Sequence, residues 1–312
     1  MISVVVPCYN EAEGLESTYR ALADAAAEWD EPFELLLVDD GSTDETWPII
    51  QWLSACDAQV SGLQLSRNFG HQAAVGAGME AARGNAVVVI DADLQDPPEL
   101  IGQFIAKWRE GYEVVYAVRA EREGETWFKL FTARLFYRII QALTDVTIPM
   151  EAGDFRLLDR SALDVLKQMR ERNRFVRAMV SWIGFRQIGV PYKRHARTAG
   201  ETKYTFRKML RLSLDATTGF SMFPLKLAQW AGSVAVGLGI LLALVLLVIR
   251  LGGVAPLAGQ GLTVSLVLFM GGVQLLGMGI LGEYIGRIYD EIRNRPLYIV
   301  RSIKQANKRV ST

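Results

Sequence analysis

The chain is poor in the residues that disulfide and zinc chemistry need. Its 312 residues include 2 cysteines, Cys8 and Cys56, and 2 histidines, His71 and His195. That excludes a disulfide framework and a cysteine-based zinc site. Cys8 ends an apolar run and reads as a buried thiol rather than a nucleophile. Neither sign of charge is in excess, with 34 basic against 34 acidic side chains, which argues against a nucleic-acid partner. Disorder is excluded as well, because 50% of the residues are hydrophobic and only 22% are charged. No Gly-x-Gly-x-x-Gly turn follows the first strand-like run, and no Gly-Lys-Ser/Thr loop occurs. A bound nucleotide therefore has to be held by side chains and a metal. The N-terminus runs straight into Ile2–Pro7 without a basic n-region or a long apolar h-region. No signal peptide is expected, and the functional domain is expected in the cytoplasm. Internal repeats and low-complexity tracts are absent too.

What is present divides in two, in keeping with about 150 residues per domain. Up to about residue 200, β-branched runs at Ile2–Val6, Phe33–Val38, Ala86–Ile90 and Glu113–Val118 alternate with helix-like stretches at Glu11–Glu28, Gln72–Ala82 and Pro98–Glu110. Such alternation predicts an α/β domain with βαβ units and a mostly parallel sheet. Ligands bind at the carboxyl ends of such strands. After residue 200 the character changes. Leu227–Ile249 and Leu262–Leu281 carry no charge, and about 20 apolar residues span a bilayer core, so a transmembrane hairpin (227–285) is expected. Arg207, Lys208, Arg211 and Lys226 precede it, and Arg287, Arg293, Arg295, Arg301, Lys304, Lys308 and Arg309 follow; the connection has only Arg250. The positive-inside rule then places the catalytic domain and both termini on the cytoplasmic side of a plasma membrane. Aromatic and basic residues interleave at about 126–143 and at 204–226, as in helices lying in the headgroup plane. For the first of these an ordinary helix packed on the sheet is the alternative. A basic tail, 286–312, holds a β-prone run at Pro296–Val300 that pairs with a neighbouring subunit or lies on the surface.

Three strand ends carry the chemistry. Pro7-Cys8-Tyr9-Asn10-Glu11 closes the first. Asp39-Asp40-Gly41-Ser42 closes the second, where the carboxylates either accept from a nucleoside or lead into a helix capped by Ser42 or Thr43. Asp91-Ala92-Asp93-Leu94-Gln95-Asp96-Pro97-Pro98 is the sharpest motif. It delivers hard oxygen ligands to one mouth, as magnesium or manganese beside phosphates requires.

Together these motifs resemble the glycosyltransferase A fold of the family 2 inverting enzymes. Ser66-Arg67-Asn68-Phe69-Gly70-His71, Gly153-Asp154-Phe155-Arg156 and Arg197-x-x-Gly200-x-x-Lys203-Tyr204 extend the likeness to the polyprenyl-phosphate glycosyltransferases, over essentially the whole chain. Thr202 departs from the serine of many relatives but keeps the hydroxyl. The resemblance implies that Pro7, Tyr9, Glu11 and Asp39 hold the nucleoside of a nucleotide sugar. Asp91 contacts the donor near its ribose or phosphate, and Asp91, Asp93 and Gln95 form the Mg2+ or Mn2+ site. Arg119 and Arg134 approach the acceptor phosphate, while Arg197 and Lys203 close over the donor. It further implies a polyprenyl-phosphate acceptor, a lipid bilayer and a homo-oligomer.

A lipid phosphate is already an anion, so it needs positioning and charge compensation more than a strong base. Asp154 is then an orienting residue or weak base near the acceptor, or else a salt-bridge partner of Arg156 or another arginine. His71 reads as a helix N-terminal residue that hydrogen-bonds locally, and His195 as part of a basic loop. The expected reaction transfers a hexose, glucose from UDP-glucose being the foremost case, with inversion to a β-linked lipid phosphate sugar. GDP-mannose and a UDP-modified arabinose use the same framework. Two other readings compete. A processive polysaccharide synthase would bring Gln-x-x-Arg-Trp and more spans; a non-catalytic partner of a lipid-sugar flippase would not need its acidic cluster.

Overall fold

In the computed structural model, residues 1–119, 152–169, 171–172, 176–192, 223–252 and 260–305 are described. They fall into two units, one holding the described residues up to 192 and from 295 onward, the other those from 223 to 294.

In the first unit the apolar runs become a sheet. Its strands are β1 (Ile2–Cys8), β2 (Phe33–Asp39), β3 (Val60–Leu65), β4 (Ala86–Val89), β5 (Val114–Arg119), β6 (Ala152–Asp159), β7 (Gln187–Tyr192) and β8 (Val300–Lys304). They lie in the order β7-β5-β6-β4-β1-β2-β3-β8. The pairs of β1 with β2 and β4, of β2 with β3 and of β5 with β7 are parallel. β6 is antiparallel to both β4 and β5, and β8 is antiparallel to β3. The mostly parallel α/β sheet is therefore as expected, with two antiparallel strands, β6 inside it and β8 at its edge. Val300, the last residue of the β-prone run, opens β8, which pairs with β3 of its own chain and is exposed along most of its length.

Every residue of β1 is buried, as a strand covered on both faces must be. Val4 and Val6 point into a core shared with Leu22, Leu37, Ile50 and Phe104, while Val5 points the other way. There it meets α3 (His71–Ala81), whose Gly78 comes so close that an added Cβ would lie 2.2 Å from Val5 Cγ1. The other helices of this unit are α1 (Leu15–Ala27), α2 (Thr46–Cys56), α4 (Leu100–Arg109), α5 (Arg160–Gln168) and α6 (Val176–Trp182). Two expectations are corrected. α1 starts four residues later than its pattern suggests, because Glu11 N–H donates to Thr46 Oγ1 (2.9 Å) and the chain turns before entering the helix. Neither Ser42 nor Thr43 caps α2, which begins at Thr46 after Glu45 without a side-chain cap.

The second unit consists of α7 (Phe223–Leu251) and α8 (Gln260–Ile292), 29 and 33 residues long, which pack on each other. The expected spans fall inside them. Large apolar side chains are exposed along both, among them Leu238, Ile240, Leu241, Leu244, Val245, Leu275 and Leu276. Among the described residues no helix is long and apolar enough to cross a membrane, so the fold does not establish the expected hairpin. α8 carries Glu283, Arg287, Asp290 and Glu291 toward its end. α8 also continues beyond 281 and 285, so the tail starts later than expected. The segment at 126–143 and most of 204–226 lie outside the described residues.

Glu34 is the buried charge that closes the end of the sheet near the N-terminus, at 4% exposure. Its carboxylate accepts from Ser3 Oγ (2.6 Å), Arg83 N (2.7 Å) and the Arg83 guanidinium (2.7 and 2.9 Å). Burial would raise its pKa, but the bonds from Ser3 and Arg83 outweigh burial and hold it below 4.5. A carboxyl lowered on folding stabilises the fold above its unfolded value, and that stability is lost as pH falls through the folded one. Glu34→Gln is expected to cost about 1–3 kcal/mol near neutrality and to flatten the loss of stability below pH 4.5. Urea midpoints measured from pH 7 down to pH 3 read both effects; an unchanged acid slope would show that Glu34 does not govern it.

Candidate active site

β4 lies on one side of β1 while β2 and β3 lie on the other. The chain reverses its direction of winding there, and a crevice opens at the carboxyl ends of the two central strands. A cleft of about 250 Å³ occupies that place. Pro7, Cys8, Tyr9 and Glu11 line it from the end of β1, and Asp91, Ala92 and Asp93 from the end of β4. Asp40, Asn68, His71 and Ala74 supply the remaining wall. Cys8 is a buried thiol, as expected, with its pKa raised first by burial.

The walls are tied to each other. Asn10 adopts a left-handed backbone (φ 54°). Its N–H donates to Ser42 Oγ (3.0 Å), and its side-chain oxygen accepts from Thr43 N–H (2.9 Å). Gly41 (φ 66°) passes so close to the next loop that a Cβ would stand 2.3 Å from the Arg67 carbonyl carbon, which only glycine permits. On the β4 side, Thr18 Oγ1 donates to the Ala92 carbonyl (2.7 Å), and the turn passes through Leu94 at φ 51°. Asp96 turns inward and accepts from the Tyr192 hydroxyl.

The paired aspartates of β2 divide their work. Asp39 is fully buried and accepts from Ser42 N–H (3.0 Å) and the Gln64 amide (3.1 Å), behind the cleft wall. Asp40 lines the cleft and accepts from the N–H groups of Phe69 (2.8 Å) and Gly70 (2.9 Å). Burial raises the pKa of Asp40, and those two N–H bonds only partly offset it.

A chain of charge runs from the β4 end into the sheet. His71 Nε2 stands 3.6 Å from Asp91 Oδ1 and 3.6 Å from Asp154 Oδ2. Asp154 Oδ1 accepts from Arg177 Nε (2.9 Å) and lies 3.7 Å from Arg156 Nη2. Burial alone would raise the pKa of Asp154, but His71, Arg177 and Arg156 together hold it far below the usual carboxylate range. Asp91 goes the other way: burial raises it, the neighbouring Asp154, Asp93 and Asp96 add to that, and His71 opposes them. Burial would lower the imidazole of His71, and the two aspartates raise it instead. Arg156 is lowered to about 10 by burial.

Of the residues expected from sequence, Pro7, Tyr9, Glu11, Asp91 and Asp93 come together in the cleft, and Asp154 adjoins it through His71. Arg119 is the last residue of β5. Arg134, Arg197, Lys203 and His195 lie outside the described residues. Gln95 is 9% exposed and does not line the cleft. Among the described residues no group of three or more His, Cys, Asp or Glu is placed to hold a metal ion. The donor set is two carboxylates in a cleft that Glu11 and Asp40 also make acidic. That suits Mg2+ or Mn2+, which take one or two carboxylates and complete their shell with water and phosphate oxygens.

His71, Asp40, Asn68 and Arg177 were not assigned to the site from sequence. His71 is corrected most: it begins α3, but its side chain reaches across to two other strand ends rather than bonding locally. The available clue was position, since the Ser66–His71 motif follows β3 and so opens on the same sheet edge as the other three. Asp40→Ala is expected to release the Phe69 and Gly70 amides, giving faster hydrogen exchange over 66–71, and Asp40→Asn, which keeps one acceptor, a smaller change. Unchanged protection in Asp40→Ala would contradict the anchoring role.

The Glycosyl transferase family 2 model matches residues 3–167. An uncharacterised glycosyltransferase, YkcC, of Bacillus subtilis is 51% identical over 99% of this chain and 96% of its own length. A prophage-derived bactoprenol glucosyl transferase of Shigella flexneri is 38% identical over 98% of this chain and 99% of its own. Among solved structures, a glucosyl-3-phosphoglycerate synthase from Mycobacterium tuberculosis aligns at 18% identity over 70% of this chain and 77% of that one, with a TM-score of 0.46. The chain is thus a glycosyltransferase enzyme and belongs to glycosyl transferase family 2.

Proposed function

We propose that the chain transfers a hexosyl group from a nucleotide sugar to a polyprenyl phosphate, with glucose from UDP-glucose as the foremost donor. The observation that carries the reading is the acidic cleft where Tyr9 and Glu11 face Asp91 and Asp93. Support for the acceptor comes from the bactoprenol glucosyl transferase of Shigella flexneri, similar over nearly the full length of both chains. In this reading Pro7, Tyr9 and Glu11 hold the nucleoside, with Asp39 bracing the wall behind them. Asp91 and Asp93 face the diphosphate; a divalent metal held there would neutralise charge on the leaving group.

The acceptor arrives as an anion whose attacking oxygen needs no strong base. Asp154 fits that requirement as an orienting residue: its strongly lowered pKa makes it a poor base, and its contacts with Arg177, Arg156 and His71 fix where their positive charges stand. Attack of a phosphate oxygen on the anomeric carbon, opposite the leaving diphosphate, inverts configuration and gives a β-linked product from an α-linked donor. Arg119 and Arg134 are assigned to the acceptor phosphate, and Arg197 and Lys203 to closure over the donor.

The proposal includes the membrane. The uncharged stretches 227–249 and 262–281, the exposed apolar side chains of α7 and α8, and the basic flanks support a hairpin in the plasma membrane with the catalytic domain and both termini cytoplasmic. Assembly into a homo-oligomer is part of the same reading, with the edge strand β8, its exposed Ile303 and the exposed Ile299 just before it as the surface on offer.

The test is product formation by purified full-length protein in detergent with a short polyprenyl phosphate and Mg2+ or Mn2+. Offered UDP-glucose and GDP-mannose separately, it is expected to give a lipid phosphate sugar by mass spectrometry from one donor, lost on chelation. Asp93→Ala is expected to lower turnover by about 10²-fold or more. No product from these donors or from a UDP-modified arabinose would overturn the reading, and full activity in Asp93→Ala would overturn the metal assignment.

A further inference from the structure

The geometry points to His71 as a positioning residue for transfer, one imidazole holding Asp91 on the donor side and Asp154 on the acceptor side in a fixed relation. The inference deepens the proposed function and rests on it.

β4 and β6 are antiparallel with Val89 opposite Arg156. Two further residues along β4 and two back along β6 bring Asp91 and Asp154 to the same place beyond the end of the ladder. Two carboxylates brought together in a partly buried site repel each other unless a cation stands between them. Asp154 has such partners on its far side, Arg177 at 2.9 Å from Oδ1 and Arg156 at 3.7 Å. Its other oxygen, Oδ2, faces the first turn of α3, where His71 Nε2 lies at 3.6 Å and the Gln72 amide at 3.4 Å. The same Nε2 is 3.6 Å from Asp91 Oδ1. Both distances are in the range of ion pairs rather than tight hydrogen bonds, so the ring draws both carboxylates toward one point and its position sets their spacing.

His71 itself is well anchored. It follows Gly70, whose positive φ of 102° turns the chain into α3, and the amides just before it are bound by Asp40. Its ring nevertheless lines the cleft with 42% of the side chain exposed. A packing residue would be enclosed and a surface residue would have no partners; this one is anchored behind and open in front. Removing the ring leaves Asp154 to Arg177 and Arg156, while Asp91 is released toward the donor. Donor binding through the nucleoside survives this change. The alignment of the anomeric carbon with the acceptor does not, and misalignment falls on the chemical step.

The experiment compares His71→Leu, His71→Gln and Asp154→Asn, and the double variant His71→Leu/Asp154→Asn, in the full-length protein. His71→Leu is expected to lower kcat by about 10²-fold with the donor KM within about 3-fold of wild type. His71→Gln, whose terminal amide carries two N–H groups, is expected to recover to within about 10-fold. The double variant is expected to be hardly worse than the poorer single one, because the two residues act as a unit. Wild-type kcat in a folded His71→Leu protein, no better rate in His71→Gln than in His71→Leu, or losses that multiply in the double variant would each overturn the inference. Were the wild-type chain inactive with every donor, the proposed function would fall by itself. The His71–Asp154 coupling would then be read from unfolding midpoints of the same four variants, where non-additive shifts uphold the contact and additive shifts sink it.

Discussion

The insertion of β6 between β4 and β5, antiparallel to both, is the constraint on which the site depends. A parallel strand there would deliver its own carboxyl end to the cleft edge. The antiparallel strand delivers its amino end instead, so Gly153-Asp154-Phe155-Arg156 meets Asp91-Ala92-Asp93 head to head. Phe155 packs into the core against Phe104, with ring centroids 4.8 Å apart, and fixes the height of the strand. Arg156, 3% exposed on the opposite face, spends a guanidinium donor on the Gly153 carbonyl (2.8 Å) and faces Asp154. A buried arginine is costly without a charge partner, so Asp154 serves the fold as well as the site.

The remaining walls follow from one feature of the chain: each motif ends a parallel strand, so all of them open on the same edge. There the loops bind one another rather than themselves. Asn10 meets Ser42 and Thr43, Glu11 N–H meets Thr46, Gly41 backs onto Arg67, and Asp40 takes the amides before His71. A donor bound here, as proposed, would find polar groups already oriented, the condition under which electrostatic stabilisation costs no rearrangement during reaction. Leu94 and Asn10 hold left-handed backbone at the two principal strand ends, strain that the loop contacts around them sustain.

Much of this was legible in the sequence. The β-branched runs fixed the parallel core, and the strand-end motifs named five residues that line the cleft. What was not legible depended on pairing across long separations. Nothing in Ala152–Asp159 signals its direction, since a strand reads alike parallel or antiparallel. Whether Asp39 or Asp40 faces the cleft depends on the pleat at the last position of β2, which adjacent identical residues conceal. Ser42 looked like a helix cap because its spacing is right, yet it answers to Asn10, more than thirty residues upstream. His71 looked local for the same reason: its partners Asp91 and Asp154 are brought to it by tertiary structure alone.

The central claim, that the β1–β4 cleft binds the donor with its reacting carbon turned toward the Asp91–His71–Asp154 array, is tested most directly by an experimental structure of the full-length protein with Mn2+ and a non-transferable UDP-sugar analogue. The account predicts the nucleoside against Tyr9 and Glu11, the diphosphate and the manganese beside Asp93, and the anomeric carbon on the side of His71. A nucleotide bound elsewhere in the chain, or bound in this cleft with its sugar turned away from His71 and Asp154, would contradict it.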